Sequence, residues 1–176
     1  GFIPERNRFY PNTTLAAQTL GFTGMDGEGL EGIEFFYNRY LKAEDSNYTV
    51  FKDALGDGFN PEIDPVRLAR GANLVLTIDS NIQYITEKAL QEAMDRYSAL
   101  SAIAIVMQPR TGAILSIAHY PVINPNAYSL FEKSNWRNRA ITDSFEPGST
   151  MKIFSAAAAL EHGETTSNSI FYCENG

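Results

Sequence analysis

The sequence has a single cysteine and only two histidines among its 176 residues. One cysteine, Cys173, excludes an internal disulfide, and the distant His119 and His162 do not have the spacing of a zinc site. Basic charge is also scarce, since the formal net charge is −7. We therefore expect no metal, no cofactor and no nucleic-acid partner, because nucleic acids select basic surfaces.

Long hydrophobic runs are missing as well. No stretch of about 18 apolar residues occurs, which predicts no membrane-spanning helix. The start, "GFIPERNRFYPN", lacks the charged and then apolar order of a signal peptide. Hydrophobic residues still make up 44% of the chain, enough for a folded core. Because the sequence stops at "FYCENG", soon after its most informative motif, we expect it to be an internal or truncated portion of a longer protein.

The first seventy residues are rich in Gly, Asn, Asp and aromatic side chains. "TGMDGEG" predicts a turn, and "LEGIEFFYNRYL" predicts one amphipathic helix of about three turns. The apolar positions of that helix are Leu30, Ile33, Tyr37 and Leu41. Turn-rich pieces, "LGDGFNPEIDP" and "ARGAN", lead to a predicted boundary near Gly71, which divides the chain into domains 1–71 and 72–176.

The second domain alternates strand and helix patterns. "LVLTID" predicts a strand, and residues 80–99 predict a helix with Asp79 as its N-cap. The apolar positions of this helix are Ile82, Ile85, Ala89, Ala93 and Tyr97. "SAIAIVMQP" and "GAILSIAHYP" predict an antiparallel hairpin. A long proline-containing connection over 122–148 then precedes a helix predicted over 149–161, with Gly163 as its stop.

The motif that opens the last helix is Ser149-x-x-Lys152, in "SFEPGSTMKIFSAAAAL". Its simplest interpretation is structural: Ser149 is an N-cap after a Pro-Gly loop, and Lys152 is a solvated side chain. Two features favour a functional interpretation. A capping serine profits from Glu or Gln three residues later, whereas this sequence has a cation there, near the positive end of the helix dipole. The apolar residues around Lys152 also predict a buried helix, and a buried ammonium is costly.

A catalytic role would account for both features. Serine becomes a useful nucleophile when a base removes its proton, and residues three apart on a helix lie on one face. Burial and the helix dipole both favour neutral lysine, which can serve as that base. The backbone N–H of Ser149 points toward any oxyanion formed beside its hydroxyl. The predicted catalytic residues are therefore Ser149, as nucleophile and backbone oxyanion donor, and Lys152, as general base.

The context of this motif resembles one family. Ser-x-x-Lys is the nucleophile motif of penicillin-binding proteins and class A β-lactamases, and "NRAITDSFEPGSTMK" resembles the active-site segment of class B penicillin-binding proteins. "LTIDSNIQYITEKAL" and "IAIVMQPRTGAILSIAHYPVINPN" resemble the start of their transpeptidase domain. "RFYPN" and "GLEGIEFFYNRYL" resemble their N-terminal pedestal module. "NPN" at 124–126 and the acidic pair Asp143 and Glu146 resemble the division-associated, septal type.

The resemblance implies an α+β fold, with a pedestal module followed by the first part of a transpeptidase domain. It implies peptidoglycan cross-linking by acyl transfer from a D-alanyl-D-alanine stem peptide through a serine acyl-enzyme. The implied partners are stem peptides or a lipid-linked precursor, β-lactams that acylate the same serine, and other division proteins. The implied location is the periplasmic side of the bacterial inner membrane. The residues that bind substrate stay unassigned.

The sequence also departs from the family pattern. The family's Ser-x-Asn and Lys-Thr-Gly motifs, its membrane anchor and a glycine pair after the pedestal helix do not occur in this chain. We therefore predict that these 176 residues alone are inactive. Two alternatives stay open, a β-lactam sensor or β-lactamase-like protein and a division-complex scaffold. The pedestal-like first half argues against the former.

Other candidate residues receive weaker interpretations. Glu31 and Glu34 are three apart on a predicted helix, a spacing more typical of a solvated face than of a catalytic pair, and the resemblance implies that Glu34 binds Arg8. The arginines beside Trp136 are weak signals for nucleic acid in an acidic protein. Asn138 and Arg139 are expected to brace the loop before Ser149. No role is assigned to His119, predicted to be structural or exposed, or to Cys173.

Overall fold

The computed structural model describes residues 7–42, 51–52, 58–59 and 71–174 of the chain. Most of the predicted turn-rich piece "LGDGFNPEIDP" lies outside these residues. The chain divides into two compact units, unit 1 (Gly1–Thr142) and unit 2 (Asp143–Gly176). Helices and small antiparallel sheets make up the described residues, which confirms the α+β class. The predicted domain boundary near Gly71 stays a prediction.

The N-terminal part of unit 1 contains three short helices, α1 (Ala17–Leu20), α2 (Gly32–Phe36) and α3 (Asn38–Leu41). The prediction of one continuous helix over the last two is wrong, because Tyr37 leaves the helical region with φ −103° and ψ 16°. The Asn38 side chain accepts from Gly29 N–H at 3.0 Å and donates to Glu28. A side chain that bonds a neighbouring turn in this way competes with helix continuation.

The predicted turn before α2 is confirmed. Thr23 and Gly29 form an isolated antiparallel bridge, and the chain reverses between them. At the end of α1, Gly21 has φ +75°, and a Cβ there would lie 1.7 Å from the Glu31 carbonyl oxygen. Glycine is therefore required where α1 meets the segment that opens α2. A separate two-residue pair, β1 (Phe51–Lys52) with β2 (Gly58–Phe59), is antiparallel.

The longest helix is α4 (Ser80–Tyr97), and its predicted N-cap is confirmed. The Asp79 carboxylate accepts from the N–H groups of Asn81 and Ile82 at 2.9 and 3.0 Å. The buried face differs from the apolar stripe of the sequence. Gln83 and Met94 are the buried positions of α4, whereas most of the predicted stripe is exposed, including Ile85, Ala89 and Tyr97. Gln83 is buried because its amide is fully hydrogen-bonded there, as described below.

The predicted hairpin is confirmed as β3 (Ala102–Met107) and β4 (Ile114–Tyr120), with Ala102 opposite Tyr120 and an irregularity between Val106 and Met107. Helix α4 packs against both strands. The predicted strand "LVLTID" is wrong. These residues form no ladder and are attached to β4 by two bonds, Thr77 Oγ1 to the Ile114 carbonyl at 2.6 Å and Asp79 N–H to the Leu115 carbonyl at 2.9 Å.

The long connection after β4 is built from short helical turns. It contains 3₁₀ helices at Pro125–Leu130 and Lys133–Asn135 and the helix α5 (Arg139–Thr142). Its aromatic residues close a core around Phe22, which is fully buried. The Phe22 ring stacks on Tyr128 with centroids 4.3 Å apart and meets Trp136 edge-on at 5.2 Å. The connection is therefore part of the core of unit 1.

Unit 2 contains a 3₁₀ turn at Gly148–Thr150 that runs into α6 (Met151–Glu161). This confirms the predicted helix, and Gly163 follows it with φ +73°. None of the described helices has the length and hydropathy needed to cross a membrane.

Candidate active site

Ser149 lies in the 3₁₀ turn that opens α6, and its side chain is exposed. The next N–H group, that of Thr150, donates to the Pro147 carbonyl at 3.1 Å. The Ser149 N–H and hydroxyl make no hydrogen bond to any residue that the structure describes. The interpretation of Ser149 as an N-cap is therefore not supported, since α6 has no side-chain cap. Both groups of Ser149 are free to bind a ligand.

Lys152 is the second residue of α6 and thus lies one turn after Ser149, on the same helix start. Its side chain is exposed. Neither an ion pair nor a hydrogen bond joins Lys152 to another residue in the described ranges, Ser149 included. The structure thus brings the two predicted catalytic residues to one helix start without a bond between them.

The expectation that α6 is buried is wrong for the chain that the structure describes. Met151, Ile153 and Phe154 are exposed, and Ala159 is the one residue of α6 that is partly covered. The physical reason lies in the content of unit 2. Apart from α6 and its 3₁₀ turn, the described residues of this unit form no helix or strand, so there is no second element to cover the apolar surface of α6.

The expectation that Asn138 and Arg139 brace the loop before Ser149 stays a prediction. Asn138 is buried, and its amide donates to Thr19 Oγ1 at 3.4 Å. His119 on β4 is buried beside it and accepts from the Ala140 N–H at 3.4 Å, which confirms a structural position. Burial lowers the pKa of His119, and the nearby Arg139 lowers it further, while a hydrogen bond with Asn138 opposes both effects.

Glu34 and Arg8 form the predicted ion pair, with Arg8 Nε 2.7 Å from Glu34 Oε1. Glu34 is buried, so its interpretation as part of a solvated face is wrong, and the pairing explains the burial. Tyr10 donates its hydroxyl to the same carboxylate at 3.4 Å. Burial and the Glu34 charge raise the pKa of Tyr10 to about 12. Burial also raises the pKa of Glu31, with Arg137 opposing it.

Sequence reasoning missed the polar side chains that join distant segments of unit 1. The buried amides of Gln18 and Gln83 and the exposed Asn126 each bond to backbone groups far away in sequence. A glutamine between apolar neighbours, as in "AAQTL", was the available signal for Gln18. Its partners could not be inferred from one sequence. Within the described ranges, no three His, Cys, Asp or Glu side chains gather in a group that could hold a metal ion.

A serine and a lysine three residues apart at a helix start match the Ser-x-x-Lys motif of penicillin-binding proteins and class A β-lactamases. Residues 102–176 match the family model described as the penicillin binding protein transpeptidase domain. The match begins at the first residue of β3 and includes Ser149 and Lys152.

Curated relatives extend the similarity into the first half of the chain. A probable peptidoglycan D,D-transpeptidase PbpC of Pseudomonas aeruginosa is 38% identical over 95% of this chain, and the peptidoglycan D,D-transpeptidase FtsI of Buchnera aphidicola is 39% identical over 96%. Among solved structures, penicillin binding protein 3 of Mycobacterium tuberculosis has a TM-score of 0.71 and 27% identity over 93% of this chain and 33% of that one. The same neighbour was also crystallised with aztreonam and with ampicillin.

Residues 102–176 therefore carry part of a penicillin binding protein transpeptidase domain, and the chain is similar over most of its length to curated peptidoglycan D,D-transpeptidases. It spans about 30% of the length of the curated relatives it matches, 30% for PbpC and 29% for FtsI.

Proposed function

We propose that this chain supplies the nucleophile of a peptidoglycan D,D-transpeptidase, with Ser149 as the nucleophile and Lys152 as the general base. The main support for the proposal is found at the start of α6. The hydroxyl and N–H of Ser149 make no hydrogen bond to a described residue, and Lys152 lies one turn away. The names of the relatives supply the reaction class.

The proposed first step is acylation. The Ser149 oxygen attacks the carbonyl carbon of the D-alanyl-D-alanine bond while Lys152 accepts the hydroxyl proton. Negative charge then develops on the former carbonyl oxygen, where the uncommitted Ser149 N–H can donate to it. The tetrahedral species collapses, the C–N bond breaks, and the terminal D-alanine leaves with a proton returned by Lys152. The remaining acyl group is an ester of Ser149.

The second step reverses these roles with a new acceptor. The amine of another stem peptide attacks the ester, Lys152 takes its proton, and the Ser149 oxygen leaves and is reprotonated. The product is a cross-link between two peptidoglycan strands. A β-lactam would form the same ester when its ring opens, because its strained amide takes the place of the scissile peptide bond.

The base role of Lys152 requires an environment that α6 lacks in the described chain. An ordinary lysine amine is almost fully protonated at neutral pH, so it must be desolvated or placed near other cations before it accepts a proton. In the chain that the structure describes, the Lys152 side chain is exposed. We therefore expect these 176 residues alone to react slowly or not at all with penicillin, as the sequence also predicts.

The division-type assignment, the periplasmic location and binding to other division proteins are part of this proposal. The similarity to proteins named FtsI supports the division type. A stage V sporulation protein D of Bacillus subtilis is also 36% identical over 88% of this chain, so sporulation-type relatives share the pattern. Depletion of the gene product tests the subtype: filamentous cells support a division role, and rounded cells contradict it.

The catalytic assignment is tested on the product of the natural gene that contains this sequence, expressed with the residues that the gene encodes on either side. A fluorescent penicillin should label the wild type and the control Ser144→Ala, and it should not label Ser149→Ala. Ser144 is a suitable control because it is an exposed serine five residues upstream in the same unit. Labelling of Ser149→Ala at the wild-type rate would refute the proposal.

A further inference from the structure

Gln18 is a buried side chain that holds two distant points of the chain together. It lies in α1 and is 4% exposed. Its Nε2 donates to the Pro121 carbonyl at 2.8 Å and to the Asn135 carbonyl at 3.3 Å. Pro121 directly follows β4, and Asn135 ends the second 3₁₀ helix of the connection. One amide group therefore spans most of the connection over residues 121–138.

Two neighbouring contacts attach the same connection to the N-terminal segment. Asn126 accepts from the Tyr10 N–H at 2.9 Å and donates to the Tyr10 carbonyl at 2.8 Å. Asn138 donates to Thr19 Oγ1 at 3.4 Å. Residues 10–19 thus contact the connection at its start, its middle and its end. The shorter distances make the contacts of Gln18 and Asn126 stronger than that of Asn138, although Asn126 is exposed.

The connection depends on such contacts because it has little regular structure of its own. Its 3₁₀ helices are short, and the first contains a non-helical residue, Ala127, with φ −141°. A segment without a strand ladder or a long helix takes its shape from the side chains that satisfy its carbonyl groups. The connection includes α5, which ends seven residues before Ser149. The position of α5 therefore fixes the point from which the chain continues toward Ser149.

We propose that Gln18 is a positioning residue for the acylation of Ser149, because its amide fixes the connection from which the chain continues to that serine. The proposal rests on the proposed function. Gln18 touches no reacting atom, and its effect passes through the backbone of residues 121–142. A loss of this contact should therefore slow the covalent step more than it weakens the initial binding of a β-lactam.

The main variant is Gln18→Leu, which keeps a similar volume and removes the amide. In the natural gene product, it should lower the first-order acylation constant for a fluorescent penicillin about 10- to 100-fold, since displacements near 1 Å can cost about 10²-fold. The dissociation constant of the initial complex should change less than about threefold, which is small against that effect. These two constants are separated by the dependence of the labelling rate on penicillin concentration.

Gln83→Leu is the matched control. Gln83 is also a buried glutamine of unit 1. Its amide bonds the Ile117 N–H and carbonyl at 2.9 Å each and the Glu87 carboxylate at 2.7 Å, and it makes no bond to the connection. Gln83→Leu should lower the melting temperature about as much as Gln18→Leu does, because each variant leaves buried polar groups without a hydrogen-bond partner. It should nevertheless leave the acylation constant within about twofold of the wild-type value. Equal slowing by both variants would overturn the proposal, as would unchanged acylation in Gln18→Leu.

Hydrogen exchange separates failure of this inference from failure of the proposed function. Gln18→Leu should speed amide exchange in residues 121–142, whereas Gln83→Leu should speed it around Ile117. If the wild type is never labelled at Ser149, the proposed function fails and this inference fails with it. If the wild type is labelled but exchange in 121–142 is unchanged by Gln18→Leu, this inference alone fails. Should Gln18→Leu not fold, Gln18→Met takes its place, because it also removes the amide but keeps an unbranched side chain of similar length, and the same two outcomes apply to it.

Discussion

Unit 1 and unit 2 differ in the contacts that each makes within itself. Unit 1 has buried aromatic and polar side chains, and its hydrogen bonds join residues up to 119 positions apart. The described residues of unit 2 include no buried side chain, and the side-chain hydrogen bonds of residues 147–174 are local, such as Ser155 Oγ to the Met151 carbonyl. The motif that carries the proposed chemistry therefore lies in the unit without a core of its own.

Unit 2 places the two motif residues, whereas unit 1 supplies the tertiary contacts. Local signals are enough to start α6 and to place Ser149 and Lys152 one turn apart. A change in the protonation of Lys152 needs surroundings that unit 2 does not supply. Unit 1, in contrast, has the tertiary contacts that can hold a backbone in one conformation.

Substitution of Lys152 should have the largest effect. In the natural gene product, Lys152→Met should lower the rate constant for acylation by a fluorescent penicillin about 10²- to 10⁴-fold, the usual range for loss of a general base. Lys152→Arg should be nearly as slow, because guanidinium keeps the charge but does not release a proton at neutral pH. Lys88→Met, at an exposed lysine of α4, should react like the wild type. A fast Lys152→Arg variant would rule out the base role.

Removal of a core aromatic should distinguish the units by stability. Phe22→Ala should lower the free energy of unfolding of the chain by about 3–5 kcal/mol, because it removes a fully buried ring from the core of unit 1. Phe154→Ala in α6 should change it by less than about 0.5 kcal/mol, since that ring is 66% exposed. Urea unfolding measures both. Comparable losses would show that α6 is packed in solution.

The buried ion pair should contribute a smaller amount. Glu34→Gln should lower the free energy of unfolding by about 1–3 kcal/mol, because it weakens charged hydrogen bonds from Arg8 and Tyr10 to a buried group. Solvent around the half-exposed Arg8 keeps the value at the lower end of that range. Glu28→Gln, which weakens the exposed pair with Lys42, should produce a smaller shift of the urea midpoint. The reverse order would contradict the role assigned to burial.

His119 should produce the smallest effect, visible only in the pH dependence. Its folded-state pKa lies below the ordinary value of 6.5. The unfolded chain therefore binds a proton more readily, and this contribution to stability is complete above about pH 6.5 and is lost as the pH falls toward the folded pKa. His119→Gln should flatten the decline in unfolding free energy over that window. The exposed His162 of unit 2, changed to Gln, is the control. An unchanged decline in His119→Gln would contradict this assignment.

Local patterns in the sequence predicted much of the fold. The cap at Asp79, the hairpin, the turn at 23–29 and the helix after Ser149 all follow from short-range rules. The failures came from tertiary contacts. The Asn38 side chain bonds a neighbouring turn, and the predicted helix is interrupted there. In α4, the hydrogen-bonded amide of Gln83 is buried in place of the apolar stripe.

For the candidate site, the sequence predicted the two residues and their common helix start but not their exposure. Exposure depends on what covers a helix, and the composition of α6 alone does not say what that is. The Arg8–Glu34 pair was predicted from the family resemblance and is confirmed. Gln18 and Asn126 were missed because their partners lie more than 100 residues away.

The most direct test of the central claim is to locate the covalent adduct. The natural gene product is incubated with penicillin and digested with trypsin, which cuts after Arg139 and Lys152 and so releases peptide 140–152. Our account predicts that this peptide gains the mass of one penicilloyl group and that fragmentation places it on Ser149. An adduct on Ser144 or elsewhere in the protein, or no adduct while the protein is folded, would contradict it.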